Sequence, residues 1–207
     1  MIPARLVLAT ANPGKAEDLR AAVAEWGPLD VRSLGEFPGV ACPEETDTSY
    51  VENAVAKARA VAVAIGLPAL GDDSGLEVDA LGSAPGIRSA RWAPSDAERI
   101  ERLLAALRDV PEPARGARFR CVVALAWPDG RVETAEGACT GRIAVARSGS
   151  GGFGYDPVFL SDDLGTTFAA APDADKRRVS HRGRALRALG DRLRQTQDCS
   201  PVRDHVR

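Results

Sequence analysis

The stretch PALGDDSGLEVDAL, residues 68 to 81, constrains this chain more than any other: an apolar run of strand length is interrupted by the adjacent carboxylates Asp72 and Asp73. A turn accounts for one Asp, because Asp and Ser bond their own backbone and Gly, here Gly75, adopts conformations closed to other residues. It does not account for two. A buried charge without a partner costs so much that a second carboxylate needs a cation, a donor set or a metal. PALGDD reads as a short strand that ends at the pair, and the rest of the chain must bring those partners to it.

The flanking sequence predicts an α/β fold. RLVLAT, residues 5 to 10, has strand length, and GKAEDLRAAVAEWG behind it places Leu19, Ala22, Val23 and Trp26 on one helical face. After an irregular stretch with Pro38 and Pro43, a long Ala-rich helix is bounded by Thr48 or Ser49 as N-cap, Glu52 just inside and Gly66 as terminator. SDAERIERLLAALRDV predicts a third helix capped by Ser95. A hairpin is expected around Pro128, Asp129 and Gly130, then further strand. GSGGFGYDPVF reads as a Gly-rich loop entering a short strand, and SHRGRALRALGDRLRQ as a closing helix.

With 207 residues, 44% of them hydrophobic, the chain can bury one sizeable core, so residues 1–195 are expected to form one domain and the polar segment 196–207 a flexible tail. A net charge of −2 argues against wholesale binding of nucleic acid, so any anionic ligand is small and held locally. Cys42, Cys121, Cys139 and Cys199 form no CxxC pair and have only His181 and His205 to join them, which argues against zinc. No apolar run approaches the roughly 20 residues of a membrane span, and the expected compartment is the cytoplasm with reduced thiols.

Four segments can carry chemistry. ATANPGK, residues 9 to 15, sets Lys15 at a helix N-terminus, which suits a phosphate and equally suits an ordinary turn, since it is no Walker A match. Glu44 and Glu45, ahead of the second helix, complement its dipole; alternatively, together with Asp72 and Asp73 they form hard oxygen ligands on two loops, of the kind that hold Mg²⁺ alongside substrate phosphates. Gly149, Gly151 and Gly154 spell G-x-G-x-x-G, but the dinucleotide fingerprint needs a helix to open there, and Tyr155, Asp156 and Pro157 lead into a strand instead. Phe153 and Tyr155 are then available to stack on a base. Lys176, His181 and Arg182 lie around a helix start with Ser180 as cap, either as solvated basic residues or as donors to an anionic or carbonyl-rich ligand.

Taken in order, TANPGK, EET with ENAVAKA, DDSGLEVDALGSAPGIRSAR, GGFGYDPVF, and K followed by SHRGRAL resemble the inosine triphosphate pyrophosphatase family over about residues 5 to 193. The resemblance implies an elongated mixed sheet flanked by helices, two lobes with a central nucleotide cleft, and a homodimer. It implies Mg²⁺-dependent hydrolysis of ITP, dITP and XTP to monophosphate and pyrophosphate. It assigns Thr10, Ala11, Asn12, Pro13, Gly14 and Lys15 to the triphosphate, Glu45 or Glu44 with Asp73 to the metal, Asp73 (with Asp72 beside it) to proton acceptance, and Ser74 to substrate. Phe153, Gly154, Tyr155, Asp156, Lys176, His181 and Arg182 fall to nucleotide and base. One departure is that TFAAAPDADK carries Ala where members commonly have a Glu ahead of the Lys. Two rivals stand beside this reading: a pyrophosphohydrolase for other modified nucleotides on a related scaffold, and a non-enzymatic nucleotide-binding module.

Overall fold

The computed structural model describes residues 1–198; Cys199, His205 and the rest of the expected tail lie outside the described residues. The chain opens with strand β1 (Arg5–Leu8) and helix α1 (Pro13–Val23), whose N-cap Asn12 accepts from Lys15 N and whose first residue is Pro13. Pro is suited to that position because its missing N–H would have no helical partner there. Strand β2 (Asp30–Ser33) follows, an element the sequence reading left in an irregular stretch. Helix α2 (Tyr50–Ile65) is capped by Ser49 and closed by Gly66 in the left-handed conformation, as the sequence predicts.

Strand β3 (Ala69–Val78) corrects the expectation of a strand ending at the aspartates. It runs straight through Asp72, Asp73 and Gly75, because ten consecutive residues pair antiparallel with β4 (Gly116–Ala126) and Ala69 and Leu70 pair with β1 on the other side. Helix α3 (Asp96–Ala106), with Ser95 as N-cap, lies between these two strands in sequence. β4 turns into β5 (Val132–Ile143) at the expected hairpin, and the Gly-rich loop enters β6 (Phe159–Ser161). A short helix α4 (Asp173–Val179), not read from the sequence, precedes the closing helix α5 (His181–Asp198). Residues 196–198 of the expected tail therefore continue α5.

The sheet has the order β2-β1-β3-β4-β5-β6, parallel among its first three strands and antiparallel thereafter. One face carries α2 over Val7, Ala69, Val122 and Ala124. Gly71 lets that helix lie close, since a Cβ there would meet Ala54 O at 2.7 Å. The other face is covered in two parts. Near β1, Leu8, Leu70 and Val123 pack against Leu19 of α1 and Leu186 and Leu189 of α5, and Trp26 Nε1 donates to Leu186 O at 3.2 Å. Towards the far end, Leu76, Val78 and Phe119 pack against Ile100 of α3, Tyr155, Phe159 and Phe168. These two apolar clusters form the cores of two lobes, and the cleft between them crosses β3 at Asp73, Ser74 and Gly75.

Among the described residues, no helix is long and apolar enough to cross a membrane.

Candidate active site

Successive side chains of a strand point to opposite faces, so a continuous β3 sends its two aspartates apart. Asp72, 1% exposed, shares the face of Leu70 and Ser74. Its Oδ2 accepts from Arg182 Nη2 at 3.1 Å and Nε at 3.2 Å, and lies 3.3 Å from Lys15 Nζ. Oδ1 of Asp72 is buried with no hydrogen-bond partner. Burial alone would raise the pKa of Asp72, but the Lys15 and Arg182 charges overcome it and hold the carboxyl below the usual range.

Asp73 faces α2. Asn53 Nδ2 donates to its Oδ2 at 2.8 Å, and Lys57 Nζ lies 3.7 Å from Oδ1. The same ammonium donates to Glu45 Oε1 at 2.7 Å, so Lys57 joins the two carboxylates. Burial is the largest influence on Asp73; with the like charge of Glu45 it raises the pKa against the pull of Lys57 and Asn53. Glu45 moves the other way: burial again comes first, but Lys57 outweighs it and the pKa is lowered. Glu44 is exposed at the rim of a groove shared with Thr10, Lys15 and Lys57. The expectation of four carboxylates on two loops is thus corrected: Asp72 and Asp73 belong to a strand, and only Asp73 meets Glu45.

Asn53 and Lys57 of ENAVAKA join the site without any assignment from the motif itself. Their signal is there, since residues four apart share one face of a helix. Neither residue signals a partner until α2 is laid on β3.

Thr10 and Ala11 lead into the α1 N-terminus, where Asn12 N donates to Thr10 Oγ1. The α1 residue Gly14 touches the Phe153 ring: a Cβ on Gly14 would lie 2.7 Å from Phe153 Cδ1. Half-buried Phe153 therefore spans from the Gly-rich loop to the turn that holds Lys15. Lys176 Nζ and Arg182 Cζ sit 5.2 and 5.7 Å from its ring centroid. The loop itself is pinned twice, by Gly154 N donating to Asp96 Oδ2 at 2.7 Å and by Phe153 N donating to Asp156 Oδ2 at 2.9 Å. Asp156 also receives Lys176 Nζ at 2.6 Å. No helix opens at Gly149 to Gly154.

Tyr155 lines the cleft from a more fixed position than Phe153. It is buried in the second apolar cluster, and its hydroxyl donates to Ser89 O at 3.1 Å. Arg182 is likewise engaged within the chain: besides Asp72 it donates to Asp18 Oδ2 at 2.8 Å and to Ser74 Oγ at 3.1 Å, so it braces α1 against β3 from the start of α5. His181 beside it is 5% exposed and lines the cleft with its ring stacked on Phe119. Burial first, then the Arg182 and Lys176 charges, push its pKa well below the ordinary value, and the ring is neutral.

One cleft collects Lys15, Glu45, Asp73, Phe153, Lys176 and neutral His181, and the groove beside it adds Thr10, Glu44 and Lys57. Among the described residues no group of three or more His, Cys, Asp or Glu is close enough to form a metal cage by itself. Two converging carboxylates suit Mg²⁺ nonetheless, because that ion keeps several waters and takes one or two carboxylates with substrate phosphates.

The sequence model of the Ham1 family matches residues 6–192. A dITP/XTP pyrophosphatase of Yersinia pseudotuberculosis is 49% identical over 195 residues, covering 92% of this chain and 98% of that protein. One of Desulforamulus reducens is 48% identical over 186 residues, covering 88% and 92%. The solved structure of a HAM1 protein from Coxiella burnetii superposes with a TM-score of 0.81 at 38% identity, covering 93% of this chain and all of that one.

Proposed function

The chain belongs to the Ham1 family, and on that premise we propose that it is a nucleoside triphosphate pyrophosphatase that hydrolyses dITP, XTP and ITP to the monophosphate and pyrophosphate. The observation that carries the reading is the joining of Glu45 and Asp73 through Lys57 beside a cleft that also presents Lys15, Phe153 and a neutral His181.

At the phosphate end, Lys15 leaves Asp72 for the triphosphate, and the α1 N-terminus adds its partial positive charge. Glu45 and Asp73 would hold Mg²⁺ together with the substrate phosphates. A bound Mg²⁺ offsets negative charge on the phosphates. Asp73 accepts the proton of the attacking water. Asp72 stays ionised and keeps Lys15 and Arg182 in place between turnovers. At the base end, donors on Lys176 and His181 pair with O6, whereas the 6-amino group of adenine meets them as a second donor. An unsatisfied buried polar group costs about 1–3 kcal/mol, so two such mismatches give on the order of 10²–10⁴ in kcat/KM.

The test is pyrophosphate release across a panel of triphosphates at one Mg²⁺ concentration, with a metal-free control. ITP, dITP and XTP are expected to exceed ATP by at least about a hundredfold. An ATP value within a few fold of ITP, or preference for a modified pyrimidine, overturns the substrate assignment while leaving the hydrolase; binding without turnover points to a nucleotide-binding module. The same reading includes a cytoplasmic homodimer, which light scattering and cell fractionation test.

A further inference from the structure

His181 enters the cleft with two nitrogens in different surroundings. Nδ1 lies 3.9 Å from Cys139 Sγ. Phe119 stacks on the ring at 4.6 Å between centroids with planes 10° apart, which holds the imidazole in one orientation. Nε2, across the ring, has no protein hydrogen bond and is not among the described buried atoms that lack one, so it opens on the cleft that His181 lines. A neutral imidazole has a single N–H, and the bond made at one nitrogen decides what the other presents. With the proton on Nε2 the ring offers a donor to the cleft; with the proton on Nδ1 it offers a lone pair, which suits a 6-amino group and repels a 6-keto oxygen.

Cys139 decides between them. It pairs with Phe119 across β4 and β5 and is 1% exposed. Burial pushes its thiol up to about 12, so the sulfur keeps its proton. A thiol sulfur is a weak acceptor and an unprotonated ring nitrogen a good one, so the contact at 3.9 Å favours the S–H donating to Nδ1.

Resting on the reading of this cleft as a 6-keto purine site, we propose that the Cys139 thiol donates to His181 Nδ1 and fixes the Nε2–H tautomer, so that Cys139 is a positioning residue for base selection. No proton is transferred; the bond biases which nitrogen of a neutral ring carries it.

The experiment is ¹⁵N-histidine NMR on the full chain carrying His205→Gln, which leaves His181 as the one histidine. At about pH 7.5 the wild-type site is expected to show the Nε2–H pattern. Cys139→Ala should show both tautomers in exchange, and Cys139→Ser, which keeps a donor, should restore one. Cys139→Val fills the volume without a donor and serves if the Ala variant does not fold. In parallel, the ITP:ATP ratio of kcat/KM should fall about tenfold in Cys139→Ala and recover in Cys139→Ser. An Nδ1–H pattern in the wild-type site, a tautomer unchanged in the Ala or Val variant, or an unchanged ITP:ATP ratio overturns the proposal. A wild-type protein with no preference for ITP overturns the functional reading instead, and the NMR result still decides the Cys139–His181 bond.

Discussion

Asp72 and Asp73 are neighbours in one strand and serve opposite faces of the sheet: Asp72 Oδ2 lies 3.1 Å from Arg182 Nη2 on the α5 side, and Asp73 Oδ2 lies 2.8 Å from Asn53 Nδ2 on the α2 side. The pairing of two charges therefore does not mean a shared task. One carboxylate is held ionised by fixed cations, and the other is made more basic beside Glu45.

Asp73→Asn should leave folding nearly intact and lower kcat by about a thousandfold, equivalent to about 4 kcal/mol of barrier. The change keeps the side-chain shape and removes both the metal-holding charge and the proton acceptor. Circular dichroism melting and pyrophosphate release at saturating Mg²⁺ check it, and near wild-type turnover contradicts the role.

Asp72→Asn should register first in stability. It leaves Arg182 and Lys15 without their shared counter-ion, and breaking a buried pair costs about 3–5 kcal/mol. Because the folded-state pKa of Asp72 is depressed, its contribution is complete above the ordinary carboxylate value of about 3.9 and is lost as pH falls below it. Urea unfolding of both proteins from about pH 7 to about pH 2 should show the difference between them shrinking only in the acid range.

Lys57→Met should move the acid limb of the kcat/KM profile to higher pH. The ammonium between Glu45 and Asp73 opposes the rise in the Asp73 pKa, and without it two carboxylates face each other uncompensated. A limb that stays in place means that Lys57 only packs.

Gly14→Ala separates the fold from the site. A Cβ would lie 2.7 Å from Phe153 Cδ1, so the ring must leave its seat on the phosphate turn. Ala is a better helix residue than Gly by up to about 1 kcal/mol. Melting temperature should hold or rise while kcat/KM falls for ITP and XTP alike, as measured on the same preparation.

The sequence by itself determined those features whose causes lie within a few residues. Asn12 and Pro13 start α1, Ser49 and Gly66 bound α2, Ser95 starts α3, and Asp129 with Gly130 turns the β4–β5 hairpin. Caps and turns satisfy their own backbone groups, so they are written locally. The candidate residues were also visible by type, because a carboxylate pair in an apolar run demands partners wherever it is placed.

Which partner each carboxylate received was decided only by the tertiary structure. Two Asp and two Gly within ten residues look like a break in a strand, yet β3 continues through them because β4 pairs with all ten of its residues while β1 holds its start at Ala69 and Leu70. That continuity turns adjacent charges to opposite faces, where Arg182 arrives from 110 residues away and Asn53 from 20. Tyr155 acquired a pin on Ser89 in the same way, when its hydroxyl met a carbonyl 66 residues distant. Side-chain type fixes what chemistry a residue can do, but the sheet pairing and the helices laid over it fix which group it does that chemistry with, and no local pattern encodes a contact between segments that meet only when the core closes.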